Sequence, residues 1–260
     1  MGIAGLPSTE HFLLVGLLAC VAAGLATSVG ALPILFLRDI SERLLDGLLG
    51  FAAGVMLAAT SFSLIVPALA DEHGGLRVTV AGMLIGAVFL ASLDKFVPHF
   101  HFLTGQMHGP VTARLKKVWL FIIAITIHNL PEGLAVGVGF GAGDIAKGMV
   151  LATAIGLQNM PEGLAVALPL RREGYTRWSA LWIATLSGLV EPVMGIVGLL
   201  AVSVAAPLVP WGMAFAAGAM LYVVSDEIIP ESHRRGFERE ATFGVIIGFC
   251  VMMILDNLLG

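Results

Sequence analysis

The sequence predicts an all-α integral membrane protein of eight transmembrane helices, arranged as a 3+2+3 inverted repeat with both termini outside. Three observations carry that expectation. The 260 residues are 58% hydrophobic and only 12% charged, about half the charge of a soluble domain, and the mean hydropathy is +0.95. The charges gather between apolar stretches that match the roughly 20 residues a helix needs to cross a bilayer. Two short motifs also occur twice each, in stretches that the charge pattern makes antiparallel.

The spans read, in order, 12–36, 46–69, 76–94, 117–141, 146–170, 178–204, 208–230 and 241–258. Connections this short leave a single transmembrane domain, 1–260. The segment before span 1 lacks the basic n-region of a signal peptide. Cys20 and Cys250 fall inside spans and read as small packing residues. Arg38 and Arg43 separate spans 1 and 2, whereas Arg77 is the one basic residue between spans 2 and 3. Lys95, Arg114, Lys116 and Lys117 separate spans 3 and 4, and Lys147 alone separates spans 4 and 5. Arg171, Arg172 and Arg177 precede span 6, and Arg234, Arg235 and Arg239 precede span 8. Twelve of the 14 basic residues thus lie on one side, which the positive-inside rule makes cytoplasmic. Trp119 and Trp178 at cytoplasmic edges and Trp211 at an outer edge suit an aromatic belt.

"HNLPEGLAV" in span 4 and "QNMPEGLAV" in span 5 agree at seven of nine positions. "FAAGVML" at 51–57 and "FAAGAML" at 215–221 agree at six of seven. Each pair joins spans of opposite direction. Such inverted repeats put a pseudo-two-fold axis in the membrane plane and the substrate site near mid-depth, where His128 and Gln158 fall.

Residues i and i+4 share a helix face, so His128 projects with Glu132 and Gln158 with Glu162. Pro131 and Pro161 free the carbonyls of Ile127 and Leu157, which membrane depth tolerates only beside a cavity or partner. Asn129 and Asn159 add amide oxygens on a neighbouring face. Glu191, in "GLVEPVMG" of span 6, is a third mid-span carboxylate. Each such acid costs about 2.5–3.5 kcal/mol at the bilayer centre, and no Lys or Arg lies as deep. Either the glutamates are protonated or a cation joins them. Carboxylate, imidazole and amide oxygen together suit a divalent transition metal, Zn²⁺ in particular.

The paired motif, in the fourth and fifth of eight spans, resembles the ZIP family (Zrt/Irt-like proteins) of divalent-metal transporters. The Gln-led second copy is similar to the bacterial GufA-type branch. "FAAGVMLAATSFSL" and "VSDEIIPESH" extend the resemblance over essentially the whole chain. It implies a transporter rather than an enzyme, in a bacterial inner membrane, that moves Zn²⁺ into the cytoplasm, with Cd²⁺, Fe²⁺ or Mn²⁺ as other cargo. It further implies two ion positions between helices 4, 5 and 6. The first would use His128, Glu132, Gln158 and Glu162, with Met56 nearby. The second would use Asn129, Glu132, Asn159, Glu162 and Glu191, the two motif glutamates bridging. Asn159 stands where relatives can carry Asp, and Gln158 where His is common.

A pathway is expected on either side. Met56, Thr60 and Ser63 follow helical spacing on one face of span 2, and the resemblance puts Met56 and Ser63 on the route, Ser63 toward the outer mouth. Asp226, Glu227, Glu231 and His233 would gather at the inner mouth. His99 and His101, in "HFHFLTGQMH", would serve as an exit relay. Two other readings are an intramembrane metallohydrolase, whose His-Glu-x-x-His signature is missing, and a proton-coupled carrier of an organic solute. The expected partners are metal ions and the lipid bilayer; a homodimer is compatible, and nothing suggests nucleic-acid binding.

Overall fold

Eight helical rods follow one another along the chain in the computed structural model, which describes residues 9–37, 40–96, 111–205 and 207–259. α1 spans Thr9–Ala31 and closes on a 3-10 turn at Leu32–Leu35. α2 runs from Glu42–Ala59 through a π turn at Thr60–Ile65 to Val66–Ala70. α3 is Leu76–Phe96, α4 Val111–Gly141 and α5 Ile145–Arg172. α6 has two segments, Arg177–Gly188 and Val190–Val204. α7 runs from Leu208–Val223 through a second π turn at Val224–Ile228 to Ile229–Ser232, and α8 is Glu238–Leu259. The expected span beginning at 117 starts six residues early, because the basic segment Val111–Lys117 is itself helical. Lys, Arg and Leu are good helix formers, so a run of charge marks the membrane edge without ending the helix.

The irregularities have local causes. Pro192 has no N–H to offer the carbonyl one turn back, on Gly188, and α6 breaks there, Leu189 sitting at φ −70° and ψ −2°. Pro67 and Pro230 stand just beyond the two π turns. There the Val66 N–H reaches back five residues to Ser61 and the Ile229 N–H five residues to Val224. The ladder slips by one residue ahead of each missing donor. That slip also breaks the expected stripe on α2: Met56 and Thr60 are buried, while Ser63 turns to α8 and donates to Asp256 Oδ1 at 2.9 Å. Between α4 and α5, Gly143 at φ +84° makes a turn that side chains rarely allow, and Asp144 then caps α5 by accepting from the Lys147 N–H.

Polarity runs opposite to that of a soluble protein. Leu84, Val88, Ile246 and Ile254 are exposed, whereas Glu132, Glu162, Glu191 and Asp46 are buried. Six rods, α1, α2, α3, α6, α7 and α8, are long and apolar enough to cross a membrane among the described residues. This is an all-α integral membrane protein. α4 and α5 hold the two Pro-Glu motifs.

Four pairings dominate the packing: α2 along α8, α3 along α7, α1 along α5, and α4 along the second segment of α6. They divide the rods into two sets, α1, α4, α5, α6 and α2, α3, α7, α8, which meet where α2 touches α5 and α4 touches α7. Glycine permits the closest approaches, as small residues do in membrane helices. A Cβ at Gly54 would lie 2.0 Å from the Val245 carbonyl oxygen, and one at Gly218 would lie 2.0 Å from that of Met83. Those glycines occupy the same place in the two FAAG motifs. The π turns follow each motif at the same distance.

At the end of the molecule rich in basic residues, Arg235 binds Glu42, Asp46 and Glu231. Arg172 of α5 also pairs with Glu42, tying the two helix sets together there. Trp119 donates to the Tyr175 hydroxyl at 3.0 Å nearby.

Candidate metal centre

The polar motifs meet where α4 and α5 cross α1 and the break in α6. His128, Asn129 and Glu132 come from α4, Gln158, Asn159 and Glu162 from α5, and Glu191 from the start of the second α6 segment. None is more than 1% exposed. Glu132 lies within electrostatic reach of Glu162 and Glu191, and Glu162 within reach of His128.

The amide groups are anchored through their nitrogens. Asn129 Nδ2 donates to the Ser187 carbonyl at 2.7 Å. Asn159 Nδ2 donates to the Ala23 carbonyl at 2.8 Å and to Glu191 Oε1 at 2.7 Å. Gln158 Nε2 donates to Glu132 Oε1. Each Asn reaches a carbonyl exposed by a neighbouring helix: Ser187 precedes the α6 break, and Ala23 lies beside Gly24 in α1. The oxygens are left over. Asn129 Oδ1, Glu132 Oε2, Gln158 Oε1, Asn159 Oδ1, Glu162 Oε1 and Glu191 Oε2 are all buried and accept no hydrogen bond from any described residue. An unsatisfied buried acceptor costs about 1–3 kcal/mol, and more when charged. Amide and carboxylate oxygens of this kind are donors that a divalent cation takes. Among the described residues no three His, Cys, Asp or Glu side chains already form a metal cage. The bond from Gln158 to Glu132 holds that pair closed.

The other expected residues fall in separate places. Met56 is fully buried in the core. Glu227 does not stand apart at a mouth, since its Oε2 lies 2.8 Å from His128 Nε2, and this contact joins α7 to α4. Asp226 borders a groove of about 390 Å³ with Tyr222, Ser225 and Met83. Glu231 and His233 do not join them: Glu231 is held by Arg234 and Arg235. His233 Nδ1 faces the Ser232 hydroxyl and its Nε2 faces Thr242. The cause is helical: the π turn and Pro230 swing residues beyond 228 onto the Arg235 side. His99 and His101 lie outside the described residues. Sequence reasoning missed Asp256 as the partner of Ser63, and the carbonyls of Ala23 and Ser187, which backbone alone supplies.

Comparison with known proteins decides the family. The chain is 46% identical over 253 residues to the zinc transporter GufA of Myxococcus xanthus, covering 94% of this chain and 99% of that one. This chain belongs to the ZIP family. The family model described as ZIP Zinc transporter matches residues 104–256, which include every Pro-Glu motif residue and Glu191. Zinc transporter ZIPB of Bordetella bronchiseptica is 46% identical over 256 residues, covering 92% of this chain and 80% of that one. Zinc transporter ZIP11 of Homo sapiens is 37% identical over 321 residues, covering 90% and 94%. The ZIP assignment covers both Pro-Glu motifs, which lie inside the matched residues.

Proposed function

We propose that this ZIP protein carries Zn²⁺ across the membrane into the cytoplasm through two ion positions between α4, α5 and α6. One observation carries the reading: six buried oxygens without a donor, beside amide nitrogens that are all engaged elsewhere. His128, Glu132, Gln158 and Glu162 form the first position and Asn129, Glu132, Asn159, Glu162 and Glu191 the second, with Met56 close to the first. Imidazole and carboxylate at the first suit Zn²⁺. The names of the relatives, zinc transporters all three, support the same cargo. Ser63 with Asp256 would begin the route, and Glu227, against His128, with Asp226 would end it.

The topology belongs to the same proposal: eight spans, a 3+2+3 inverted repeat and outer termini. Exchanging α1 with α6, α2 with α7, α3 with α8 and α4 with α5 turns each of the four main helix pairings into another of the four. The same exchange carries Gly54 on Val245 into Gly218 on Met83, and one π turn into the other.

Zinc stoichiometry and proteoliposome uptake, measured on four variants with Cd²⁺, Fe²⁺ and Mn²⁺ as competitors, test the site. Glu132→Ala and Glu162→Ala each strip a charged ligand from both positions and should nearly abolish uptake. His128→Ala should weaken zinc binding strongly at the first position. Glu191→Gln should empty chiefly the second. Loss of all metal in Glu191→Gln while His128→Ala kept both ions would contradict the assignment.

A further inference from the structure

The seven side chains above come from α4, α5 and α6, and the repeat has a place for an eighth on α1. Between the FAAG motifs, equivalent positions are 164 apart, as 215 is from 51. The same step relates α1 to α6 around the site. Gly24 and Gly188 touch each other: a Cβ at Gly24 would lie 2.5 Å from the Gly188 oxygen, and one at Gly188 2.4 Å from the Gly24 oxygen. The carbonyls that accept from Asn159 and Asn129 belong to the preceding residues, Ala23 and Ser187. Gly133, next to Glu132, rests on the backbone of Glu191, where a Cβ would meet its oxygen at 2.2 Å. Gly163, next to Glu162, rests on the backbone of Thr27, at 1.9 Å. Thr27 therefore stands to Glu162 as Glu191 stands to Glu132.

Its hydroxyl, like those of Ser28 and Thr60, lacks the intrahelical bond that most hydroxyls in these helices make. Ser61, Thr79, Ser92, Thr126, Thr185 and Thr242 all donate to the carbonyl four residues back. Thr27 is 1% exposed, and its Oγ1 has no hydrogen-bond partner among the described residues. It lies against Gly188, 2.6 Å from where a Cβ there would be, so only glycine leaves it room. A buried hydroxyl without a partner carries the penalty already noted for the site's oxygens.

We propose that Thr27 is the sixth oxygen donor of the second ion position, joining Asn129, Glu132, Asn159, Glu162 and Glu191, and that it sets the metal preference there. This rests on the metal-transport reading above. With Thr27 the second position offers six oxygens and no nitrogen, a set suited to octahedral ions such as Mn²⁺. The first position keeps the imidazole that suits zinc. Threonine in place of a second Glu191 also spares the site a fourth buried charge.

The full-length protein in nanodiscs would be titrated with Mn²⁺ alone, followed by the paramagnetic resonance of the free ion, and separately with Zn²⁺ by calorimetry. Thr27→Val keeps the shape and removes the donor. It should weaken Mn²⁺ binding about tenfold, the lower end for losing a supporting group at a metal site, and leave the tighter Zn²⁺ step unchanged. Thr27→Ser should bind Mn²⁺ like the wild type. Thr27→Asp, which supplies the carboxylate the repeat would put there, should bind it more tightly. If Thr27→Val does not fold, the Ser and Asp variants decide. Wild-type Mn²⁺ affinity in Thr27→Val, or no gain in Thr27→Asp, would overturn the role of Thr27. A wild-type protein that binds neither ion in its core would instead overturn the metal reading itself.

Discussion

Replacing Arg235 by alanine should destabilise the protein by about 3–5 kcal/mol, the range for stripping one partner from a buried ion pair. Its guanidinium stands 2.9 Å from Glu42 Oε2 and 2.6 Å from Asp46 Oδ1, and it also binds Glu231. The side chains of Asp46 and Glu231 are 0% and 7% exposed. After the substitution Glu231 keeps Arg234, and Glu42 keeps Arg172. Asp46 keeps no cation among the described residues. A unit charge pair about 4 Å apart is worth roughly 4 kcal/mol at an effective dielectric constant of 20, which agrees with the first figure. Arg43 and Glu240 provide the control, since they are as close, at 2.7 Å, but Arg43 is 68% exposed. An exposed pair contributes only about 0.2–1 kcal/mol. Reversible unfolding in mixed micelles would compare Arg235→Ala, Arg43→Ala, and Arg235→Ala combined with Asp46→Asn. The double variant should recover part of the loss, because it removes the stranded charge. Equal losses in the two single arginine variants, or a double variant weaker than Arg235→Ala, would refute the reasoning.

Three further outcomes follow from the geometry. Glu227→Ala should lower central zinc affinity as well as uptake rate, because Glu227 touches His128; calorimetry showing unchanged affinity would separate it from the centre. Gly218→Ala should destabilise by more than the roughly 1 kcal/mol that alanine's helix propensity offers in return, since the new methyl meets the Met83 carbonyl oxygen; a stabilised variant in thermal unfolding would show that α3 and α7 can part. Asn159→Asp should lower the stability of the metal-free protein, facing Glu191 without its N–H donor, and raise the stabilisation that added zinc gives; melting curves with and without zinc report both.

The rods were legible because hydropathy and charge act locally, and the motif residues because Pro and Glu are rare inside apolar runs. His128, Glu132, Gln158, Glu162 and Glu191 needed no tertiary information to attract notice. Position along a helix was harder. The stripe through Met56, Thr60 and Ser63 assumed a constant 3.6-residue turn, and the π turn at Thr60 ended that register. On α7 the second π turn lies between the Asp226, Glu227 pair it contains and Glu231 and His233 beyond it; Glu227 meets His128 while Glu231 is held by Arg234 and Arg235. Thr27 escaped notice altogether. A threonine among alanines and glycines carries no signal of its own, and only its place opposite Glu191 distinguishes it.

The contact between Gly24 and Gly188 joins two backbones with no side chain between them. Under the proposed inverted repeat, positions on one side of that point have counterparts on the other that are chemically unequal: imidazole against amide, carboxylate against hydroxyl, Ser63 against Glu227. On the proposed route, an ion approaching from one compartment would meet different donors in a different order from an ion approaching from the opposite one. Such a device would have unequal half-saturation on its two faces, while the final concentration ratio would still obey the gradient alone, because both directions share one pair of end states. On that proposal sidedness would be a matter of rate, written in a handful of side chains on a frame that has none.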